Sequence, residues 1–402
     1  MCVGGVCTLE PDAPDPDGGP PAGVCGNLTL LQDSFDSGGP QPLFNSFAEP
    51  GATLSETGGQ LNINFNANSD FYAGYTAAYL YDFHDAAFEV AVAEVGGVNT
   101  IIEVRNHLGN SAQLVHDSGE VYAGIFNVAG SGTLAQRAWN PAERFWRIRE
   151  DDGEMVWELS TDRQTWSELH RRALPFPVDH VRGLVSGDGG IPTASRIRFD
   201  DVNVGAPNSV FCPVDQLRDD FATSPLRPPW DPYTNTGCTL TETGGNLVAT
   251  WTSSTGNVFC GLNSLNLWDL SRGTGIVVDG TAFPRIANFV SYIQIDEVGS
   301  STADRLETSL DGNSLEFRVV ENDAIARNRV LTFDPVAHRW WRTRGETNMI
   351  VFETSPDRST WTEQLRADVP FPLSPMELNI GFGHYANITP PVTITLGGIN
   401  AD

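Results

Sequence analysis

The sequence predicts an all-β chain: two tandem antiparallel β-sandwich domains behind a disordered N-terminal tail. Three observations carry this reading. Gly (40) and Pro (26) are abundant, and the aliphatic residues fall in short runs separated by Gly, Asp, Asn and Ser, as in many short strands and turns. Apolar and polar residues alternate with a period of two, as in half-buried strands. Matching segments recur at a nearly fixed separation from end to end.

The recurrence sets the domain organisation. Asp33-Ser34-Phe35 returns as Asp219-Asp220-Phe221, and Leu54-Ser55-Glu56-Thr57-Gly58-Gly59-Gln60-Leu61 as Leu240-Thr241-Glu242-Thr243-Gly244-Gly245-Asn246-Leu247, at an offset of 186. Further on the offset is 195. Phe145-Trp146-Arg147 matches Trp340-Trp341-Arg342, Leu174-Pro175-Phe176-Pro177 matches Val369-Pro370-Phe371-Pro372, and the turn Ser160 to Trp166 matches Ser355 to Trp361. The second copy thus carries nine extra residues net, which loops absorb at little entropic cost. The boundaries that follow are a tail over 1–31, a first sandwich over 32–206, a linker over 207–218 and a second sandwich over 219–402.

Within each copy the strands pair legibly. Asp152-Gly153 is a favoured two-residue hairpin turn, which sets Trp146 opposite Leu159, Arg147 opposite Glu158 and Ile148 opposite Trp157. Moving by 195 sets Arg342 opposite Glu353 around Thr347-Asn348. The charge pair reads as exposed, worth about 0.2–1 kcal/mol, and so argues for register more than for stability. Trp166 and Trp361 read as core plugs at a tight turn.

The order of motifs in each copy is an opening Asp-x-Phe strand, a Glu-Thr-Gly-Gly hairpin, a Trp-Arg strand, a Trp/Phe-Glu strand, a Ser-x-Asp turn leading to Trp, and a closing Pro-Phe-Pro segment. It resembles the concanavalin A-like lectin/glucanase superfamily over 33–205 and 219–400. The resemblance implies a two-sheet jelly roll for each copy. The turn from Ser160 to Trp166 also looks like the Asp-box of sialidase propellers. It is one residue short, lacks the Gly at its fifth place, and recurs at a spacing of 195 instead of once per blade, so a propeller is rejected.

Charge narrows the partners. There are 51 carboxylates against 24 basic residues, all of them Arg, for a net charge of −27. Such a chain repels phosphate backbones and anionic headgroups, which disfavours nucleic acid and membrane surfaces as partners. No apolar stretch approaches the ~20 residues that span a bilayer. Residues 1–31 lack the basic, apolar, small-residue order of an export signal and read as a linker from a surface tether. The six cysteines are too widely spaced, and too far from His, for a zinc site. Disulfides are the natural reading, with Cys238–Cys260 and Cys25–Cys212 favoured, and they place the chain outside the cytoplasm, secreted or surface-tethered.

Chemistry is harder to find. Glycan-cleaving members of the superfamily carry Glu-x-Asp-x-x-Glu on one strand, where residues two apart share a face. Here Glu89 and Glu94 have the outer spacing but Ala91 takes the central place, 150–154 is a turn, and Asp296 and Glu297 are adjacent. The histidines at 84, 107, 116, 170, 180, 338 and 384 stand singly and read as surface or loop residues. No Gly-x-Ser-x-Gly elbow occurs. No catalytic residue, metal ligand or cofactor is therefore assigned, although the resemblance leaves calcium open.

Aromatic rings offer the one positive hint, since a sugar's C–H face stacks on a ring. Phe71, Tyr72 and Tyr75, with Tyr79 nearby, form one cluster, and Trp230 with Tyr233 a second. The expectation is a non-enzymatic binding protein for polysaccharide or a glycosylated surface. A structural or adhesive spacer is the alternative, and a degenerate glycoside hydrolase a third, which would require two facing carboxylates. Oligomeric state is left open.

Overall fold

In the computed structural model, period-two alternation resolves into two packed layers of largely antiparallel sheet per unit. The structure describes residues 2–3, 6–7 and 26–400, apart from 67–68, 192, 206–209, 223–227, 253–254, 300–303 and 347. The chain divides into two units, Met1–Val210 and Phe211–Asp402.

Leaving two-residue strands unnumbered, unit 1 holds β1 (Phe44–Ala48), β2 (Ala52–Glu56), β3 (Leu61–Phe65), β4 (Ser69–Ala77), β5 (Ala87–Glu94), β6 (Asn99–Asn106) and β7 (Ser111–Asp117). It continues with β8 (Glu120–Phe126), β9 (Gly132–Ala138), β10 (Phe145–Asp151), β11 (Glu154–Ser160), β12 (Trp166–Ala173), β13 (Val181–Ile191) and β14 (Ser195–Val202). One seven-stranded sheet runs β9-β8-β7-β6-β13-β4-β1, and the other β12-β11-β10-β5-β14-β3-β2.

Unit 2 holds β15 (Trp230–Thr234), β16 (Cys238–Glu242), β17 (Leu247–Trp251), β18 (Val258–Ser264), β19 (Arg272–Asp279), β20 (Phe289–Glu297) and β21 (Arg305–Asp311). It continues with β22 (Ser314–Glu321), β23 (Ala324–Thr332), β24 (Trp340–Glu346), β25 (Met349–Ser355), β26 (Thr362–Asp368), β27 (Met376–His384) and β28 (Val392–Leu396). The seven longer strands of its first sheet run β23-β22-β21-β20-β27-β18-β15, the order of unit 1 with each label raised by fourteen, and the two-residue strands Trp268–Asp269 and Cys212–Pro213, parallel to each other, add to it beside β27. The second is split into β26-β25-β24-β19 and β28-β17-β16, which are linked by the bridge Val278–Ile399 and the adjoining Asn400–Val277 hydrogen bonds.

Each core lies between its two sheets. In unit 1 Leu61, Ile63, Phe65, Phe88, Ile102, Val104, Leu114, Trp146, Trp157 and Phe199 face inward and are fully buried, and in unit 2 Trp251, Leu306, Phe317, Trp341, Phe352, Ile380 and Phe382 play the same part. A Cβ on Gly183 would lie 2.5 Å from the Phe88 ring, so this inward position must stay bare for the sheets to close.

A buried asparagine closes each unit. Asn203 (φ +51°) donates to the carbonyls of Leu28 and Leu31 and accepts from Glu89 N. Asn400 (φ +49°) does the same with Val214, Leu217 and Val277 N. Residues 26–31, assigned to the tail by composition, therefore belong to unit 1, because Leu28 and Leu31 reach its core.

The hairpin register is as read from the sequence, with Trp146–Leu159, Arg147–Glu158, Ile148–Trp157 and Arg342–Glu353 all paired. The exposure is not. Glu158 and Glu353 are each only 6% exposed, and each carboxylate accepts from two arginines, Arg147 and Arg149 or Arg342 and Arg344. Trp166 and Trp361 are half-buried lids outside the core, stacked over Arg147 and Arg342 at 3.8 and 4.1 Å. Their position follows from the turn. Asp162 Oδ1 accepts from Gln164 N and Thr165 N while Ser160 Oγ accepts from Asp162 N and Arg163 N, and Ser355 and Asp357 repeat the pattern. His116 and His384 are also buried, 5% and 0% exposed, on strands, where surface or loop positions were expected.

Cys238 and Cys260 form a disulfide. Cys212 is also disulfide-bonded, and its expected partner Cys25 lies outside the described residues.

Two measurements follow. Removing the shared carboxylate with Glu158→Gln or Glu353→Gln should cost about 1–3 kcal/mol in urea unfolding, because two guanidiniums lose one acceptor; a loss below ~0.5 kcal/mol would return the pair to the surface class. The second concerns Asp33. In unit 2, Asp219 Oδ2 accepts from Trp230 Nε1 at 2.7 Å, whereas Phe44 stands at Trp230's place in unit 1 and Asp33 Oδ2 is buried without a partner. Burial, with Glu56 nearby, pushes Asp33 up from 3.8 to about 6. Its folded value exceeds its unfolded one, so it costs nothing below pH 3.8 and withdraws on the order of 3 kcal/mol as pH rises through 6. Asp33→Asn should flatten that decline in melting temperature; an unchanged slope would show that Asp33 titrates normally.

Candidate functional site

The outer face of each seven-stranded sheet is where the alternation gathers polar and aromatic groups. In unit 1, Val104 and Ile102 point inward, so Glu103 and Arg105 point outward on β6. Cross-strand pairing sets Leu184, Glu103 and Gln113 in one row, and Tyr72, Asp188 and Asn99 in another. Glu103 is 1% exposed; it accepts from Arg105 Nη2 at 3.1 Å and from Gln113 Nε2 at 3.0 Å. Asn99 Nδ2 donates to Asp188 Oδ1 at 2.7 Å, and burial still pushes Asp188 up. The Tyr72 ring packs on Phe47 at 4.7 Å, and burial, then the Glu103 charge, raise its phenol.

In unit 2 the same face is more aromatic and more acidic. Tyr233 (β15), Gly261 (β18), Gly381 (β27) and Tyr292 (β20) form one row across four strands. The tyrosine rings lie over the glycines, since a Cβ on Gly381 would fall 2.1 Å from the Tyr292 ring and one on Gly261 2.6 Å from Tyr233 Oη. The two hydroxyls meet at 3.0 Å, and burial raises both phenols. Asn263, Asn379, Gln294 and Glu307 make up the next row.

Beyond that row, Asp296 on β20 stands directly opposite Glu377 on β27. Burial pushes Asp296 up from 3.8 to about 6; the hydrogen bond from Gln294 Nε2 (2.7 Å) opposes this, and the Glu377 charge adds to it. Glu307, 9% exposed, accepts from Arg318 Nη1 at 3.0 Å. Among the described residues, no three His, Cys, Asp or Glu side chains converge as a group able to hold a metal ion.

Of the six aromatics singled out by sequence, the structure puts two on this face, and Tyr79 packs partly buried against the core. Tyr72 and Tyr233 are outward. Phe71 is 6% exposed in the core, beside Gly51. Tyr75 is 2% exposed, its hydroxyl donating to Glu56 Oε1 at 2.9 Å. Trp230 is 2% exposed and tied to Asp219. These three pack the interior, since 71 and 75 share one parity along β4 and Tyr72 the other. The facing pair Asp296–Glu377 was missed because its members come from strands about eighty residues apart; the available signal was outward alternation of Tyr292, Gln294 and Asp296.

No family model and no curated protein matches the chain. Solved structures similar to it include a β-1,3-1,4-glucanase (lichenase) derived from a mouse hindgut metagenome, at 12% identity and TM-score 0.34, covering 43% of this chain and 96% of that one. A laminarinase from Flavobacterium sp. UMI-01 is similar at 11% identity and TM-score 0.35, over 43% and 97%. A xylan β-1,4-xylosidase from Bacillus halodurans C-125 is similar at 10% identity and TM-score 0.33, over 92% and 89%. The expectation of a non-enzyme is corrected to this extent: the similar structures are named as a glucanase, a laminarinase and a xylosidase, and at these TM-scores they assign no activity to this chain. A shared architecture hosts many activities, so the names do not fix a substrate for this chain.

The Asp296 environment is directly measurable. Carboxyl ¹³C NMR should show Asp296 protonated at pH 5 and ionised at pH 7, with a midpoint at about 6. Glu377→Gln should lower that midpoint by removing the opposing charge; a midpoint at 3.8 in the parent protein would refute the arrangement.

Proposed function

We propose that this is an extracytoplasmic protein that contacts carbohydrate through the outer face of the seven-stranded sheet in each unit. The observation that carries the reading is the row Tyr233, Gly261, Gly381, Tyr292, two phenol rings laid against a glycine floor and bordered by the amides of Asn263, Asn379 and Gln294. Flat rings present their faces to sugar C–H groups while amides and carboxylates hydrogen-bond hydroxyls. Unit 1 offers the smaller Phe47–Tyr72 pair beside Asp188, Asn99 and Glu103. The Cys238–Cys260 disulfide supports an oxidising compartment. No helix among the described residues is long and apolar enough to cross a membrane.

A second reading is favoured by one observation. Asp296, held protonated up to about pH 6, pairs in register with Glu377 on the neighbouring strand, which puts on one face the two kinds of group, an acid and a second carboxylate, that glycoside hydrolysis uses. On this reading the proton on Asp296 goes to the glycosidic oxygen while Glu377 attacks or activates water.

The full chain should bind at least one of laminarin, mixed-linkage glucan and xylan in affinity electrophoresis, and Tyr292→Ala should weaken that binding by about tenfold, as loss of one stacked ring does. Retained binding in Tyr292→Ala with an unchanged melting temperature would remove the platform from the account. Reducing-end release that falls at least a hundredfold in Asp296→Asn, as expected for a general acid, would support the hydrolytic reading; no release by the parent chain would dismiss it.

A further inference from the structure

The two units differ in the sign of charge at one matched place on the sheet. Arg182 of β13 is the cross-strand partner of Arg105 on β6. Adding the repeat offset of 195 to Arg182 gives Glu377 of β27, and the partner of Glu377 on β20 is Asp296. Where unit 1 pairs two arginines in register, unit 2 pairs an aspartate with a glutamate, and Arg305 stands opposite the aspartate on the next strand. We infer that the arginine pair of unit 1 takes an anionic group borne by a glycan, the carboxylate of a uronic acid or a sulfate ester, while unit 2 is reserved for neutral sugar. The inference rests on the reading of this face as a glycan contact surface.

Both residues point away from the core. Val104 and Val181 beside them are fully buried, and Gly183 faces Phe88, so 105 and 182 fall on the outer side. Like charges directly opposite one another on a sheet repel. The carboxylate pair of unit 2 relieves this by holding a proton below about pH 6, whereas a guanidinium keeps its charge throughout that range. The arginine pair is instead met by negative charge. Glu103 supplies one, bound to Arg105 and buried, and the Arg105 side chain remains 43% exposed to receive another. Arginine forks match planar carboxylate and sulfate oxygens in bidentate geometry. The pair continues into His107 and His180, whose backbones are hydrogen-bonded at 3.1 Å and whose rings meet edge to face at 5.8 Å, so the strip carries further nitrogen donors. The net charge of −27 does not forbid the contact, because it is screened beyond about 8 Å in physiological salt and a local pair acts within that distance.

The test uses the full chain against polygalacturonate, dextran sulfate and uncharged dextran, with dissociation constants from calorimetry in 0.15 M salt. One polyanion should bind at least about tenfold more tightly than dextran, and Arg182→Gln should abolish that margin while Arg182→Lys keeps part of it, as expected when a bidentate fork becomes a point charge. Whether polygalacturonate or dextran sulfate shows the margin identifies the anion as uronate or sulfate. Thermal unfolding of both variants separates loss of the contact from loss of the fold. Polyanions no better than dextran, or an unchanged margin in a folded Arg182→Gln, overturn the inference. Binding of neutral glycan without a polyanion margin overturns it alone, whereas binding of no glycan of either kind overturns the contact surface as well.

Discussion

Two sheets that bury one face against each other leave every second side chain of each strand for everything else. That parity constraint governs this chain. It sends Trp146, Trp157, Trp251 and Trp341 inward, where they are at most 1% exposed, and sends charged and hydroxyl groups outward on the same strands. A single-residue slip would exchange the two sets, so the register holds both the core and the candidate surface. The buried Asn203 and Asn400 sit where the chain leaves this rule: each takes a left-handed backbone and ties an irregular opening turn to the last strand through its amide.

With the scaffold so constrained, divergence is written on the outer face. In unit 1 the carboxylate Glu103 stands on β6 and the amide Gln113 on β7; in unit 2 the amide Gln294 stands on β20 and the carboxylate Glu307 on β21. The pair is kept and its direction reversed, with an arginine on each carboxylate. Nearby, Arg105 and Arg182 give way to Asp296 and Glu377. Such exchanges alter the chemistry presented while leaving the inward set intact, which is how a repeated sandwich can acquire two different surfaces.

Local patterns made much of the fold legible. A two-residue turn flanked by alternation gave the Arg147–Glu158 and Arg342–Glu353 register, and two cysteines placed near the start of one repeat gave Cys238–Cys260. The site was less legible because it is assembled across strands. Consecutive aromatics looked like a cluster in Phe71 and Tyr72, although neighbours on a strand face opposite ways. Trp166 and Trp361 looked like core because they are tryptophans, yet the Ser-x-Asp turn delivers them onto arginines outside it. Carboxylates were sought along one strand, whereas Asp296 finds its partner on the next.

The claim that function resides on the outer face of the seven-stranded sheets is tested most directly by hydroxyl-radical footprinting of the full chain with and without a bound glycan. Both sheets carry oxidisable rings, so each reports on its own side. The account expects protection at Tyr72, Tyr233 and Tyr292 and unchanged labelling of Trp166 and Trp361. Protection of those two tryptophans, with the tyrosines still labelled, would place the contact on the opposite sheet and contradict it.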